Sequence, residues 1–291
     1  MIRFSKYIWL YAMLSALIIV PGIISLVRFG LKPSIDFTGG VLLEARLNND
    51  EPLSTVEERV KEANIEAVSI QKTGNATYLF RLKPTDETSL TALENSLSSS
   101  SDTTLEVLRR DVVGPVLGGE LLTKAIIASL FAIIAILSYV AYAFRNIRFG
   151  LSAVAALLHD MLVMFGSFSL LGYFFGVEVD TLFVTAVLTT MSFSVHDTIV
   201  IFDRIREYRK RDSTVSMEDI SDAALTETMG RSLINSFTIL FMLLALVLMG
   251  GETIRWFAMA LLIGTITGTY SSPFVATPIL ILWSRIRKSS K

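Results

Sequence analysis

Cysteine is absent from this chain. No disulfide framework, cysteine-ligated zinc site or thiol chemistry is therefore open to it. Histidine is scarce: His159 and His196 are the two, too few for a histidine-based metal site. Charge is scarce as well, at 18% of 291 residues, and it is segregated into separate stretches. What fills the chain is apolar. Hydrophobic residues make up 52% and the mean hydropathy is +0.57, beyond an ordinary soluble domain. The formal net charge of −1 then says little about partners.

A helix crossing the hydrocarbon needs about 20 mostly apolar residues. Six runs qualify: Ile8–Val27, Leu121–Phe144, Leu151–Phe174, Thr181–Phe202, a fifth within Leu225–Met249, and a long sixth, Trp256–Trp283. The last is interrupted by Gly264, Gly268, Ser271-Ser272-Pro273 and Pro278. Pro21-Gly22 marks a kink in the first. That run is as long as a span and no small-residue cleavage motif follows it, so no cleavable signal peptide is expected.

Between the first two runs the pattern changes. Val41–Leu47, Ala67–Gln71, Tyr78–Leu82 and Thr104–Val113 alternate like strands, around a Gly74-Asn75 turn. Leu53–Ala63 and Thr85–Leu97 have helical spacing, with Ser54, Thr55 or Thr85 as caps. Ser98–Ser101 reads as a loop. The order β-α-β-β-α-β predicts a ferredoxin-like α+β domain. Residues 30–118 hold 14 acidic and 9 basic side chains. Asp36-Phe-Thr-Gly-Gly40 leads in and Val113-Gly-Pro-Val-Leu-Gly-Gly119 leads out. Gly39, Gly40, Gly114, Pro115, Gly118 and Gly119 read as a hinge or tight joint.

The expected organisation is thus a first helix within 1–29, an extracytoplasmic domain over 30–118, a five-helix bundle over 119–284 and a basic tail over 285–291. Orientation follows from Lys and Arg. With the N-terminus inside, the inner segments hold thirteen: Arg3, Lys6, Arg145, Arg148, Arg204, Arg206, Arg209, Lys210, Arg211, Arg285, Arg287, Lys288 and Lys291. The short outer loops hold one, Arg255. Asp203–Asp222 reads as a charged inner loop, partly helical.

Charge inside the apolar runs singles out candidates. At about 1.5 Å per residue, Asp160 lies roughly 16 Å from the inner surface and Asp197 roughly 9 Å. Such a carboxylate costs several kcal/mol unless paired, wetted or protonated. Arg231, near the inner end of the fifth run, is the expected counter-charge of Asp197; it also fits an arginine that snorkels to the interface. His159 and His196 adjoin the two aspartates. His159-Asp160 equally fits a helix-packing pair. Gly264 and Gly268 have small-xxx-small spacing for close helix contact, with Ser271 and Ser272 following. Aspartyl proteolysis needs two carboxylates sharing a proton, and the Gly-x-Gly-Asp context is missing. We expect no enzyme.

Several motifs together are specific: Asp36-Phe-Thr-Gly-Gly40, Val113-Gly-Pro115, Leu158-His-Asp160, His196-Asp-Thr-Ile-Val-Ile-Phe-Asp-Arg-Ile-Arg-Glu207, Gly230-Arg-Ser-Leu-Ile-Asn-Ser236 and Gly268-Thr-Tyr-Ser-Ser272. In this order, from about residue 4 to 284, the chain resembles the SecF family of protein-export membrane proteins, related to the RND transporters. Gly-Arg-Ser departs slightly from the family's more frequent Ser-Arg-Thr and leaves the arginine in place.

The resemblance implies half of a pseudo-symmetric twelve-helix unit, completed by a SecD-like partner in the cytoplasmic membrane. It implies assistance to a SecY-type channel and contact with unfolded polypeptide and lipid, with no nucleic acid. It implies protons as the coupling ion, no other cofactor, and proton passage at Asp197 and Arg231. The role of Asp160 is less defined. Two other readings stand beside it: half of an RND-type exporter, and an assembly scaffold whose charges only pin helices. A reporter fused after residue 75 should report the outer side and one after residue 212 the cytoplasm; the reverse would overturn this topology.

Overall fold

A computed structural model describes residues 3–63, 65–98, 105–144, 146–212 and 214–289, the last few by backbone alone. The expected loop beyond Ser98, the strand start at Thr104, and the charges of Arg145 and Lys291 lie outside the described residues, as do the side chains of Arg287 and Lys288. The chain divides into two compact units, residues 33–127 and residues 1–32 with 128–291.

The elements run α1 (Ile8–Phe29), α2 (Ile35–Thr38), β1 (Gly40–Leu47), α3 (Leu53–Glu62), β2 (Ala67–Gly74), β3 (Thr77–Leu82), α4 (Glu87–Ser98), β4 (Leu105–Val113), α5 (Pro115–Phe144), α6 (Ile147–Phe175), α7 (Thr181–Arg211), α8 (Met217–Met249), α9 (Glu252–Ser271), a π turn (Ser272–Ala276) and α10 (Thr277–Ser289).

In the unit over 33–127, four antiparallel strands stand in the order β2-β3-β1-β4. Alternation sends Val41, Leu43, Ala45 and Leu47 of β1 and Tyr78, Phe80 and Leu82 of β3 into one core with Val56, Val60, Leu90, Leu93 and Leu97 of the two helices. The capping expectations fail here. Pro52 stands at the N-cap of α3, so Ser54 and Thr55 lie inside the helix. Thr85 turns its hydroxyl to Lys83 O, and Asp86 instead accepts from Ser89. The hairpin turns at Asn75-Ala76, one residue later than expected, with Ala76 at φ 54. The Ala76 amide donates to Asp50 at 3.3 Å, which ties down that left-handed residue. Lys72 bonds the same carboxylate and holds it below the usual range.

The glycines flanking this domain divide into two kinds. Gly39 (φ 72) and Gly40 (φ 139) occupy backbone that other residues rarely adopt. A Cβ on Gly118 would stand 2.7 Å from Gly39 N, and one on Gly39 2.7 Å from Pro115 Cα. Around Gly114 and Gly119 there is open space. The joint is therefore tight at Gly39, Gly40 and Gly118.

Among the described residues, six helical segments are long and apolar enough to cross a membrane: α1 with its preceding turn, α5, α6, α7, α8, and α9 with α10. Among the described residues the core sits where α6, α7 and α9 meet, with Ala156, Leu157, Met164, Phe168, Ala186, Met191 and Ala260 buried. Small residues set the spacing. Gly22 of α1 meets Gly166 of α6, where an added Cβ would lie 2.5 Å from Gly22 Cα, and Ser25 bonds Ser169 at 2.7 Å alongside. Gly264 of α9 backs onto Thr190, and Gly268 onto Ser194.

The charged stretch 203–222 is more helical than expected. α7 continues to Arg211 and α8 begins at Met217, leaving 212–216 between them. Pairs one turn apart, Arg206–Asp203 and Arg211–Glu207, stabilise the extension. Arg204 clamps it to α8 through Glu227, with Tyr208 on the same carboxylate at 2.9 Å. The interrupted sixth run becomes the π turn. Pro273 and Pro278 cannot donate, and Ser272 O takes the amide of Thr277, five residues on.

Replacing Gly118 with Ala should destabilise the domain by about 1–3 kcal/mol through overpacking. Gly119→Ala, in open helix, should be neutral or slightly stabilising. Thermal unfolding of the two variants checks the ranking, and equal shifts would refute it.

Candidate functional site

Asp160 is a buried carboxylate of the bundle core. It sits mid-way along α6 at 7% exposure, beside His159 at 6%. Its Oδ2 accepts Ser194 Oγ of α7 at 2.5 Å and Ser271 Oγ of α9 at 2.7 Å. Its Oδ1 lies 3.0 Å from His159 Nδ1, and His159 Nε2 lies 3.1 Å from the Tyr270 hydroxyl. With Nδ1–H donated to the carboxylate, Nε2 accepts from Tyr270, and both ring nitrogens are satisfied. A buried carboxylate with three donors recovers much of its lost hydration.

Asp197, on α7, is different. It is half-buried, and its Oδ1 accepts Ser232 Oγ of α8 at 2.6 Å. Its Oδ2 is buried with no hydrogen-bond partner among the described residues. The next residue, Thr198, bonds Ser272 Oγ at 2.8 Å. One side of α9 therefore serves Asp160 through Ser271, and the start of the π turn serves the Asp197 region through Ser272.

The remaining predicted residues are placed as follows. Arg231 is exposed on α8 and forms no ion pair with Asp197 among the described residues. Neighbouring helical residues diverge by about 100°, so Ser232 rather than Arg231 faces the carboxylate. His196 points outward. Gly264 and Gly268 lie where α9 touches α7, and Ser271 and Ser272 are hydroxyl donors as well as small residues.

Sequence reasoning missed Ser194, Ser232, Thr198 and Tyr270. The available signal was spacing: Ser194 and Thr198 are four apart on a buried helix face, and a hydroxyl in an apolar run needs a partner. It also missed Asp222. That carboxylate, 2% exposed, accepts Ser5 N and Ser5 Oγ, each at 2.8 Å, and so ties the turn before α1 to α8. No cluster of three or more His, Asp or Glu fit to hold a metal occurs among the described residues.

Two family profiles match: the protein export membrane protein SecD/SecF C-terminal region over residues 92–286, and the SecD/SecF GG motif over 24–51. The chain is 40% identical to the protein translocase subunit SecF of Thermobaculum terrenum and 39% to that of Anaerolinea thermophila. Each alignment covers 94% of this chain and 92% of the relative. The chain belongs to the SecF family of protein translocase subunits. Among solved structures, it superposes on SecDF, a translocon-associated membrane protein from Thermus thermophilus, with a TM-score of 0.87 at 30% identity. That match covers 98% of this chain and 39% of the longer SecDF chain. SecDF in a super-membrane-facing form gives 0.69.

The SecF C-terminal match contains Asp160, Asp197, Arg231 and both serines, and the GG-motif match contains Gly39 and Gly40. A SecF-family chain with this geometry carries two unlike carboxylates, one saturated with donors and one with a bare oxygen. Asp160→Ala strands three donors and should cost about 2–4 kcal/mol, whereas Asp197→Ala strands one and should cost about 1. Thermal unfolding in detergent checks this; a larger loss at Asp197 would contradict it.

Proposed function

We propose that this SecF-family chain pairs with a SecD-like subunit and uses the proton-motive force to promote polypeptide export across the cytoplasmic membrane. The role in protein export follows from the family. The single observation that carries the proton reading is the Asp197 carboxylate: Oδ1 held by Ser232, Oδ2 buried and unpartnered. A proton on Oδ2 removes a charge that nothing at hydrogen-bond distance neutralises. Arg231, exposed one residue from Ser232, is free to answer that change from the side. One charge crossing 100 mV yields about 2.3 kcal/mol, enough to bias an ordinary conformational equilibrium.

The partner reading is supported by length, because the chain matches only 39% of the SecDF chain. It is supported also by apolar α5, whose candidate span has none of its most hydrophobic stretch buried within the chain. In our reading the two halves form an RND-like pseudo-symmetric unit that assists a SecY-type channel. The strand order β2-β3-β1-β4 with two helices supports a ferredoxin-like outer domain, which would meet the emerging unfolded polypeptide. The lysine and arginine bias supports cytoplasmic termini. Protons are the coupling ion in this scheme, with no enzymatic step and no further cofactor.

The test is Asp197→Asn in vesicles holding the chain, its partner and the channel. The complex should assemble, and gradient-dependent stimulation of export should fall at least about tenfold, a barrier change of about 1.4 kcal/mol. Full stimulation ends the proton reading. Activity indifferent to a protonophore would favour the scaffold, and transport of small apolar molecules the exporter half.

A further inference from the structure

The two aspartates stand on different helices, and one dipeptide reaches toward both. Ser271 Oγ donates to Asp160 Oδ2 at 2.7 Å. Ser272 Oγ bonds Thr198 Oγ1 at 2.8 Å, and Thr198 is the residue next to Asp197, whose Oδ2 is buried without a hydrogen-bond partner among the described residues. Both serines are wholly buried. A helical step of about 100° lets successive hydroxyls serve two neighbours. Ser272 also opens the π turn, a widened backbone that recurs at functional sites.

We propose that Ser271 and Ser272 are positioning residues that couple the two carboxylates, so that the charge on Asp160 sets the state of Asp197. This rests on the reading of the aspartates as proton-bearing groups. The physical route is competition for donors. A charged Asp160 holds Ser271, Ser194 and His159 together. A neutral Asp160 accepts fewer hydrogen bonds and donates one, which frees Ser271. Ser272 shares that backbone, and the loosened turn carries its hydroxyl toward or away from Oδ2. Of the other titratable groups, His159 of α6 and Tyr270 of α9 are hydrogen-bonded on the Asp160 side, while His196 of α7 and Arg231 of α8, each close in sequence to the Asp197 contacts, are exposed. None of them hydrogen-bonds both carboxylates among the described residues.

The test uses the full chain reconstituted with its partner and follows the carboxyl C=O band by infrared difference spectroscopy as pH is stepped. Asp197→Asn assigns the band. Asp160→Asn should move the Asp197 midpoint by about one pH unit, the threshold at which two sites count as coupled. In a Ser272→Ala background the same replacement should move it by roughly 0.3 of a unit or less. Ser272→Thr, which keeps the hydroxyl, should restore the full shift. A midpoint that ignores Asp160→Asn, or a coupling unchanged by Ser272→Ala, overturns the proposal. Should Ser272→Ala fail to assemble, Thr198→Val removes the same hydroxyl pair from the α7 side and carries the same expectation. Failure of the export reading shows separately: stimulation independent of the gradient, with band coupling intact, removes the function and leaves the coupling standing.

Discussion

A carboxylate in the middle of an apolar helix must find donors, and the bundle is arranged around that demand at Asp160. Oxygen Oδ2 needs Ser194 from one helix and Ser271 from another within about 3 Å, while Oδ1 needs a histidine held in one tautomer. Helices packed at the ordinary 8–10 Å would leave short serine side chains out of reach. Gly264 and Gly268 remove the obstruction on α9, and Gly22 and Gly166 do the same between α1 and α6. The glycine stripes and the polar cluster are thus one device, because short hydroxyl side chains bridge helices only where the backbones come close.

Asp197 shows the opposite arrangement, and the contrast gives the site its direction. Asp160 is saturated with hydrogen-bond partners from three helices. Asp197 has one oxygen held by Ser232 and one left bare. Two carboxylates with unlike surroundings thus stand at one helix junction. The π turn that opens at Ser272 follows α9 and departs from regular helical bonding, with the Thr277 amide on Ser272 O.

The unit over 33–127 follows a separate logic. Its core is an alternating sheet under two helices, built from apolar side chains. Its rigid feature is the contact of Gly39 and Gly118, where two stretches 79 residues apart approach at backbone distance. The left-handed conformations of Gly39 and Gly40 fix where β1 begins, so the first strand enters the sheet at a set angle.

The sequence alone determined the number of candidate spans, the strand and helix order of the domain over 33–127, the aspartates of interest and the family. Each depends on period, composition or run length, which are local along the chain. Element ends were read less well. Pro52 displaced Ser54 and Thr55 as the cap of α3, and ion pairs along α7 carried the helix through a stretch whose composition looks like a loop. Only the tertiary structure decided which side chain faces Asp197. Ser232 and Arg231 are adjacent in sequence, and the rotation of α8 against α7 selects the serine. Likewise only packing turned the consecutive Ser271 and Ser272 toward two different helices. The direction of a side chain across an interface depends on the rotation and depth of both helices, and neither is encoded in any short stretch of residues.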